Sequence, residues 1–192
     1  MTLDSAPVVA GWRLLAHPIF LEQFESLVRQ VDALKTKDAV GYAKKAATKR
    51  LAVLVSLMLD KVPLDPAAPE YRQGKTLGKE HTAWRRAKFF QQYRLFFRFH
   101  TQARVIVFAW VNDDKTKRAY GSQTDAYRVF GHMLRSGRPP SDWDALLKEA
   151  AGGRAVCRLD AAVQVTGRHR QSQKTCGMRG CLAKSGMLFR IC

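Results

Sequence analysis

Cysteine is missing from the body of this chain: Cys157, Cys176, Cys181 and Cys192 all lie in its last fifth. No disulfide can staple the body, so its order must come from packing, as in a reducing compartment. No stretch approaches the ~18 uninterrupted apolar residues of a membrane span. The opening MTLDSAPVVAGW lacks the charged start and long apolar run of a secretory signal. These absences lead to the expectation of a cytoplasmic protein with no membrane partner. Gly74 and Gly78 make no phosphate loop, because no GK[ST] follows and no strand-to-helix context surrounds them. Cys176 and Cys181, with His169 nearby, have no second ligand pair at zinc spacing. Asp113 and Asp114 lie beside a turn and read as a strand-end loop, so no metal and no other cofactor is expected. Acidic charge is also scarce: 33 Lys and Arg stand against 16 Asp and Glu, a net +17. Residues 1–150 hold 25 of these cations and 15 of the acids, and residues 151–192 hold 8 and 1, so both parts are basic. A surplus of this size favours polyanionic partners.

At 192 residues and 46% hydrophobic, the chain can build one substantial core. Phe20, Leu21, Phe24, Leu27, Val28, Val31 and Leu34 recur at helical spacing across 18–35, with Pro18 suited to the first turn and Glu22 and Glu25 near the positive end. A second helix is expected over about 40–60, apolar all round in its C-terminal half and stopped by Pro63. KVPLDPAAPEYRQGKTLGKE then reads as a surface connection with a short strand at 71–73. Residues 82–90, 92–100 and 103–112 change period and predict a three-stranded antiparallel meander, with VIVFAWV as its central strand. Helices are expected again at 124–134 and after a Ser141 or Asp142 cap, with Trp143, Leu146 and Leu147 in the core. From Gly152 and Gly153 onward no period is sustained, and a disordered or loosely attached basic tail is expected.

The meander carries both aromatics and cations. Alternation puts Trp84, Arg86 and Lys88 on one face of the first strand and Arg85, Ala87 and Phe89 on the other. In the next strand Tyr93, Leu95, Phe97 and Phe99 share one face, and Arg94, Phe96, Arg98 and His100 share the opposite one. If helices cover only the apolar face, the cations gather on the open side of the sheet. No carboxylate lies between Arg85 and Val111 to neutralise them. Such a surface suits an RNA strand: cations contact phosphates, Phe96 or Tyr93 stacks an unpaired base, and the 2′-hydroxyl is an internal nucleophile that needs no metal. Cleavage then requires a base, an acid and cations around the phosphorane, and a lysine among other cations can exchange protons.

EYRQGKTLG, RRAKFFQQYRLFFR, AWVNDDKTKRAYGS, TDAYRVF and PPSDWDALLKEA occur in this order. They resemble the YhaV family of bacterial toxin-antitoxin toxins, over about residues 10–150. That family is similar to the wider RelE group of ribosome-dependent mRNA interferases. The resemblance implies an α+β (α/β) fold, RelE-like, with N-terminal helices on a small antiparallel sheet and C-terminal helices following. It implies a toxin domain over 1–150 and leaves 151–192 as a low-order basic tail, read as a non-homologous extension or a basic RNA-binding arm. The implied activity is metal-independent endoribonuclease cleavage of mRNA, dependent on translation, that inhibits growth. The implied partners are mRNA, the ribosome and a PrlF-like antitoxin of AbrB/MazE-type DNA-binding fold, through which the toxin meets DNA indirectly.

Carried over to this chain, the pattern assigns catalysis to Arg86, Lys88, Arg94, Arg118 and Tyr127. Arg94 and Arg118 would stabilise the transition state, Arg86 and Lys88 would bind phosphate or move protons, and Tyr127 would stack or orient. Arg85, Phe96, Arg98, His100, Lys117 and Tyr120 form the RNA-binding set, Lys117 and Tyr120 being the alternatives to Arg118 and Tyr127. A Glu/His pair drawn from Glu80, His81 and His100 is the competing catalytic arrangement, with His81 otherwise a solvated loop residue. A noncatalytic nucleic-acid binder, such as an inactive degenerate toxin, is the alternative function.

Overall fold

The computed structural model describes residues 6–74, 76–119 and 121–152. Strands β1 (Val8–Val9) and β2 (Trp12–Ala16) form an N-terminal hairpin that runs directly into helix α1 (Pro18–Lys37). Pro18 occupies the first turn as expected, and His17 caps it by accepting the Ile19 N–H at Nδ1. A 3₁₀ turn (Gly41–Lys44) leads to helix α2 (Ala46–Ser56), which relaxes into a π-helical turn at Leu57–Lys61. The expected meander follows as β3 (Arg85–Phe89), β4 (Tyr93–His100) and β5 (Val105–Val111), antiparallel throughout. Helices α3 (Ala126–Arg135) and α4 (Trp143–Ala150) close the described chain, the latter capped by Asp142. The tail expectation lies outside the described residues.

The sheet has five strands in the order β1-β2-β5-β4-β3. It is therefore mixed, because β2 lies parallel to β5, with Leu14 opposite Ile106 and Leu15 opposite Val107. A parallel pair needs a long crossover, supplied here by everything from α1 to β4. VIVFAWV is buried along its whole length, as a central strand must be. The strand expected at 71–73 reduces to a 3₁₀ turn at Pro69–Tyr71 and one isolated bridge between Arg72 and Arg85.

Both faces of this α+β sheet are covered. On one, α1 and α2 bury Phe20, Phe24, Leu54 and Met58 against Leu14, Leu95, Phe97 and Phe108. On the other, α3 and α4 bury Phe130, Leu134 and Leu146 against Leu15, Phe96, Val107 and Trp110. Each fully buried Phe or Leu contributes on the order of 1.5–3 kcal/mol. The expectation of one uncovered cationic face is thus corrected. The apolar stripe of α3 (Ala126, Tyr127, Phe130, Leu134) itself needs a sheet face, and it takes the one holding Phe96. Phe96 is fully buried and stacks on Phe130 at a centroid distance of 4.2 Å, so it is not open to a base. Among the described residues no helix is long and apolar enough to cross a membrane.

Candidate nucleic-acid cleavage site

By covering Phe96, α3 divides the cationic face into two groups. At one end, beside the β3 edge, lie Arg86, Lys88 and Arg94, with Lys88 and Arg94 paired across β3 and β4. Lys88 is exposed and Arg86 half-buried. Arg86 donates from Nε to the Tyr127 hydroxyl at 2.7 Å and from Nη1 to the Glu70 carbonyl at 2.6 Å. Arg118 lies over the other part of the same tyrosine, its guanidinium carbon 5.1 Å from the ring centroid, and pairs with Asp125. Asp125 is buried at the N-cap of α3: Oδ1 accepts the Tyr127 N–H and Oδ2 accepts the Ala119 N–H as well as Arg118. A single carboxylate therefore ties the loop carrying Arg118 to the helix carrying Tyr127. Arg86, Tyr127, Arg118 and Asp125 form one connected chain.

Arg94 sits behind this chain, 7% exposed. Its Nη1 donates to the carbonyls of Gln91 and Tyr93 at 2.6 and 2.7 Å, while its Nε is buried without a partner among the described residues. Gln91 lies in the β3–β4 turn, where it and Phe90 both take positive φ, as a tight hairpin requires, and Tyr93 opens β4. Arg94 thus clamps a strained turn; the guanidinium expected to reach a transition state is committed to backbone oxygens. Its own N–H donates to the Oδ1 of Asn112, whose Nδ2 donates to the carbonyls of Gln92 and Thr116.

A cavity of about 400 Å³ opens in front of Arg86 and Lys88, lined also by Lys61, Arg72, Glu70 and Tyr71. Lys61 and Arg72 were not among the residues singled out from the sequence. EYRQG held a signal for Arg72, since a cation next to a turn that returns to the sheet edge faces the same groove. Asp125 was also missed, although a helix N-cap seven residues after an arginine is well placed to bind it.

The other sequence candidates lie elsewhere. Arg85 points to the α1–α2 face, 5.6 Å from the Phe99 ring centroid, with Nη1 on the Thr82 carbonyl. Burial, and then the neighbouring Arg72, push its pKa down. Arg98 is flanked by the Trp84 and Trp143 rings at 5.7 and 5.4 Å and donates to the Ser141 carbonyl. His100 stacks on Trp143 and accepts the Ala103 N–H. Both belong to the group under α4, separated from Arg86 by the Phe96–Phe130 stack. His81 is buried rather than solvated, 3.3 Å from the Ser141 hydroxyl and 3.7 Å from Glu80. Lys117 pairs with Asp114 and lies over the Tyr93 ring, as Arg50 does, and Phe89 stacks on the same ring at 5.3 Å, so Tyr93 is already engaged by protein groups. Asp114 is drawn down to about 2, first by the hydrogen bond from the Tyr93 hydroxyl and then by Lys117. Tyr120 lies outside the described residues.

Among the described residues, no three His, Cys, Asp or Glu side chains are grouped to hold a metal ion. The site's chemistry is that of four cations, Lys61, Arg72, Arg86 and Lys88, along an open groove, with Tyr127 hydrogen-bonded to one of them.

Residues 14–151 match the family Toxin_YhaV, described as a toxin with endonuclease activity, of toxin-antitoxin system. The chain is similar to Toxin YhaV of Escherichia coli O6:H1, 46% identical over 149 residues that cover 77% of this chain and 97% of that protein. It is 45% identical to Ribonuclease toxin YhaV of Escherichia coli K12 over the same length and shares. No solved structure matches. The match spans the sheet from Leu14 in β2 onward, helices α1 to α4 and every member of the Arg86–Tyr127–Arg118–Asp125 chain, and so the protein belongs to the Toxin_YhaV family, toxins with endonuclease activity that act within toxin-antitoxin systems and hence against an antitoxin partner.

Proposed function

We propose that this toxin is a metal-independent endoribonuclease that cuts single-stranded mRNA, with the message under translation on the ribosome as its cellular substrate, by attack of the 2′-hydroxyl on the adjacent phosphate and expulsion of the 5′-oxygen, so that free RNA of the same strand is cut as well. The observation that carries this reading is the Arg86–Tyr127–Arg118 arrangement, which starts from a cationic groove that Arg86 and Lys88 line. Two guanidinium groups held on either side of one tyrosine can bracket a phosphate whose negative charge grows as the phosphorane forms. Lys88, exposed beside Arg86, is the mobile cation suited to proton transfer at the reacting oxygens. Tyr127, itself buried, orients both arginines. Arg94 acts as a positioning residue through the β3–β4 turn. The ribonuclease name of the K12 relative supports RNA as the substrate.

The family resemblance supports a PrlF-like antitoxin of AbrB/MazE-type fold, which would carry the toxin to DNA indirectly. The cationic groove is the surface for such an inhibitor to cover with carboxylates. We assign residues 1–150 to the toxin domain and residues 151–192 to an appended basic tail.

The decisive experiment is cleavage of a single-stranded RNA by the wild type and by the Arg86→Ala, Arg118→Ala double variant, with EDTA present. Wild-type cuts ending in 2′,3′-cyclic phosphate, no cutting of a strand with 2′-deoxyribose at the cut position, and a loss of roughly 10²–10³-fold or more in the variant are expected. Cutting of the deoxy strand, or a fully active variant, overturns the proposal.

A further inference from the structure

The groove in front of β3 is joined through the Arg86–Tyr127 hydrogen bond to a second cavity, into which the proposed catalytic residues Tyr127 and Arg118 already face and whose far wall has no role so far. This second cavity, about 320 Å³, runs along α3 and is lined by Arg118, Arg128, Arg135, Thr76, Ser122 and Tyr127, with Asp125, Leu77, Gly121 and Gly131 completing its wall. Its volume falls at the lower end of the range of ligand cavities, ~300–1,000 Å³.

The helix builds this cavity by spacing alone. Arg128, Gly131 and Arg135 stand at i, i+3 and i+7, which puts them on one face of α3. Gly131 leaves the floor between the two arginines open: a Cβ there would come within 3.6 Å of Arg135 Nη1 and 3.9 Å of Leu77 Cδ2. Arg128 and Arg135 are both exposed, and neither forms a hydrogen bond or ion pair among the described residues. The one carboxylate lining the cavity, Asp125, is already taken by Arg118 and by the N–H groups of Ala119 and Tyr127. Two guanidinium groups therefore remain uncompensated on one wall. Cations left without a protein counter-charge on one wall are open to a bound anion.

We propose that this cavity is a second phosphate-binding subsite, in which Arg128 and Arg135 hold the phosphodiester of a nucleotide adjoining the one that is cut. The inference rests on the ribonuclease reading and deepens it. A free anion would be served by either cavity alone. A linear polyanion gains from both, because they adjoin through Arg86 and Tyr127 and so offer cations on each side of the point of cleavage. Held at two phosphates, the strand cannot slide, and the reacting 2′-hydroxyl is kept in line with its phosphate. Arg128 and Arg135 are binding residues in this scheme, with no part in the chemical step.

The test compares the full chain with its Arg128→Ala, Arg135→Ala and Arg128→Lys, Arg135→Lys double variants. Affinity for a single-stranded RNA oligonucleotide is titrated across KCl concentrations, and cleavage is followed to saturation. For the alanine variant KM should rise several-fold with kcat unchanged. The slope of log affinity against log salt should become shallower by roughly 1.4, since each phosphate contact on a single strand contributes about 0.7. The lysine variant should keep the wild-type slope. An alanine variant that is folded by circular dichroism yet keeps the wild-type KM and slope overturns the subsite. Normal RNA binding with weakened antitoxin binding also overturns it, because the arginines would then face the protein partner. A wild-type chain that binds RNA but does not cut it fails the ribonuclease reading instead, while the salt slopes still decide the subsite.

Discussion

Asn112 joins three segments through one side chain: Oδ1 accepts from Arg94, and Nδ2 donates to Gln92 at 3.1 Å and Thr116 at 2.8 Å. Its burial, 2% exposed, means that water cannot replace these bonds. Arg118 is anchored to the same turn, its N–H on the Gln92 carbonyl at 2.9 Å. Asn112→Ala strands a buried donor and an acceptor, and should lower the unfolding free energy by about 2–4 kcal/mol. Urea unfolding measures that loss. Because the Arg118 loop loosens with it, kcat should fall more than KM rises. Arg98 gives the contrasting case. It sits between two tryptophans under α4, and burial pushes its pKa down against the opposing pull of Asp142. Arg98→Ala should cost about 1–2 kcal/mol by thermal melting, mostly the lost cation–π contacts, and leave RNA affinity as it was. A clear loss of RNA affinity in a folded Arg98→Ala protein would contradict the placement of this residue outside the groove. Alternation along β3 and β4 was legible and separated Arg86 and Lys88 from Arg85. The burial of Phe96 and Arg98 was not, because it depends on helices that return from more than 25 residues away.

Among the elements, the helices and the meander were readable because their periods are long and strong. The N-terminal hairpin was not: β1 has two residues and β2 five, too few for a pattern, and WRLLA is buried on both faces through its parallel pairing with β5. Between β2 and α1 lies His17, an N-cap that also reaches across to α4, with Nε2 2.8 Å from Glu149. This bond joins helices on opposite sides of the sheet. Burial lowers the His17 pKa below its ordinary 6.5, and the hydrogen bond to Glu149 opposes the shift without cancelling it. The folded state therefore favours the neutral ring more than the unfolded chain does. The sign follows from linkage: this stability is fully present above pH 6.5 and is lost as pH falls below it toward the folded-state pKa. Thermal melts from pH 7.5 to 5 should show Tm falling over that window. His17→Asn keeps an N-cap acceptor and should flatten the fall, at the expense of a lower Tm at pH 7.5. Asp114 acts in a separate window. Its carboxylate, drawn down to about 2, contributes stability above pH 3.8 that is lost only as pH falls further.

For the whole molecule, charge is distributed so that folding consumes little of it. Among the described residues Asp114 serves Arg50 and Lys117, Asp125 serves Arg118, and Glu25 faces Arg29 at 3.9 Å. Such pairs leave the net +17 unchanged, because every acid is already subtracted in it. Composition revealed that surplus at once, but composition has no direction, and the gathering of Arg86 and Arg118 about Tyr127 emerged only when α3 packed on the sheet. The last 40 or so residues hold 8 of the 33 cations and one acid, and they lie beyond the family match, which ends at residue 151. The matched relatives are covered over 97% of their length without that segment. A chain truncated after Gly152 should therefore keep its Tm and its kcat on a saturating RNA. Its loss should appear only in encounter: weaker RNA binding at low salt, converging on the full-length value as ionic strength screens the extra charge. Titrations of both forms at several KCl concentrations measure this. A truncated protein that stays folded but loses kcat would show that the basic segment enters the site, and would move the boundary of the catalytic unit past residue 152.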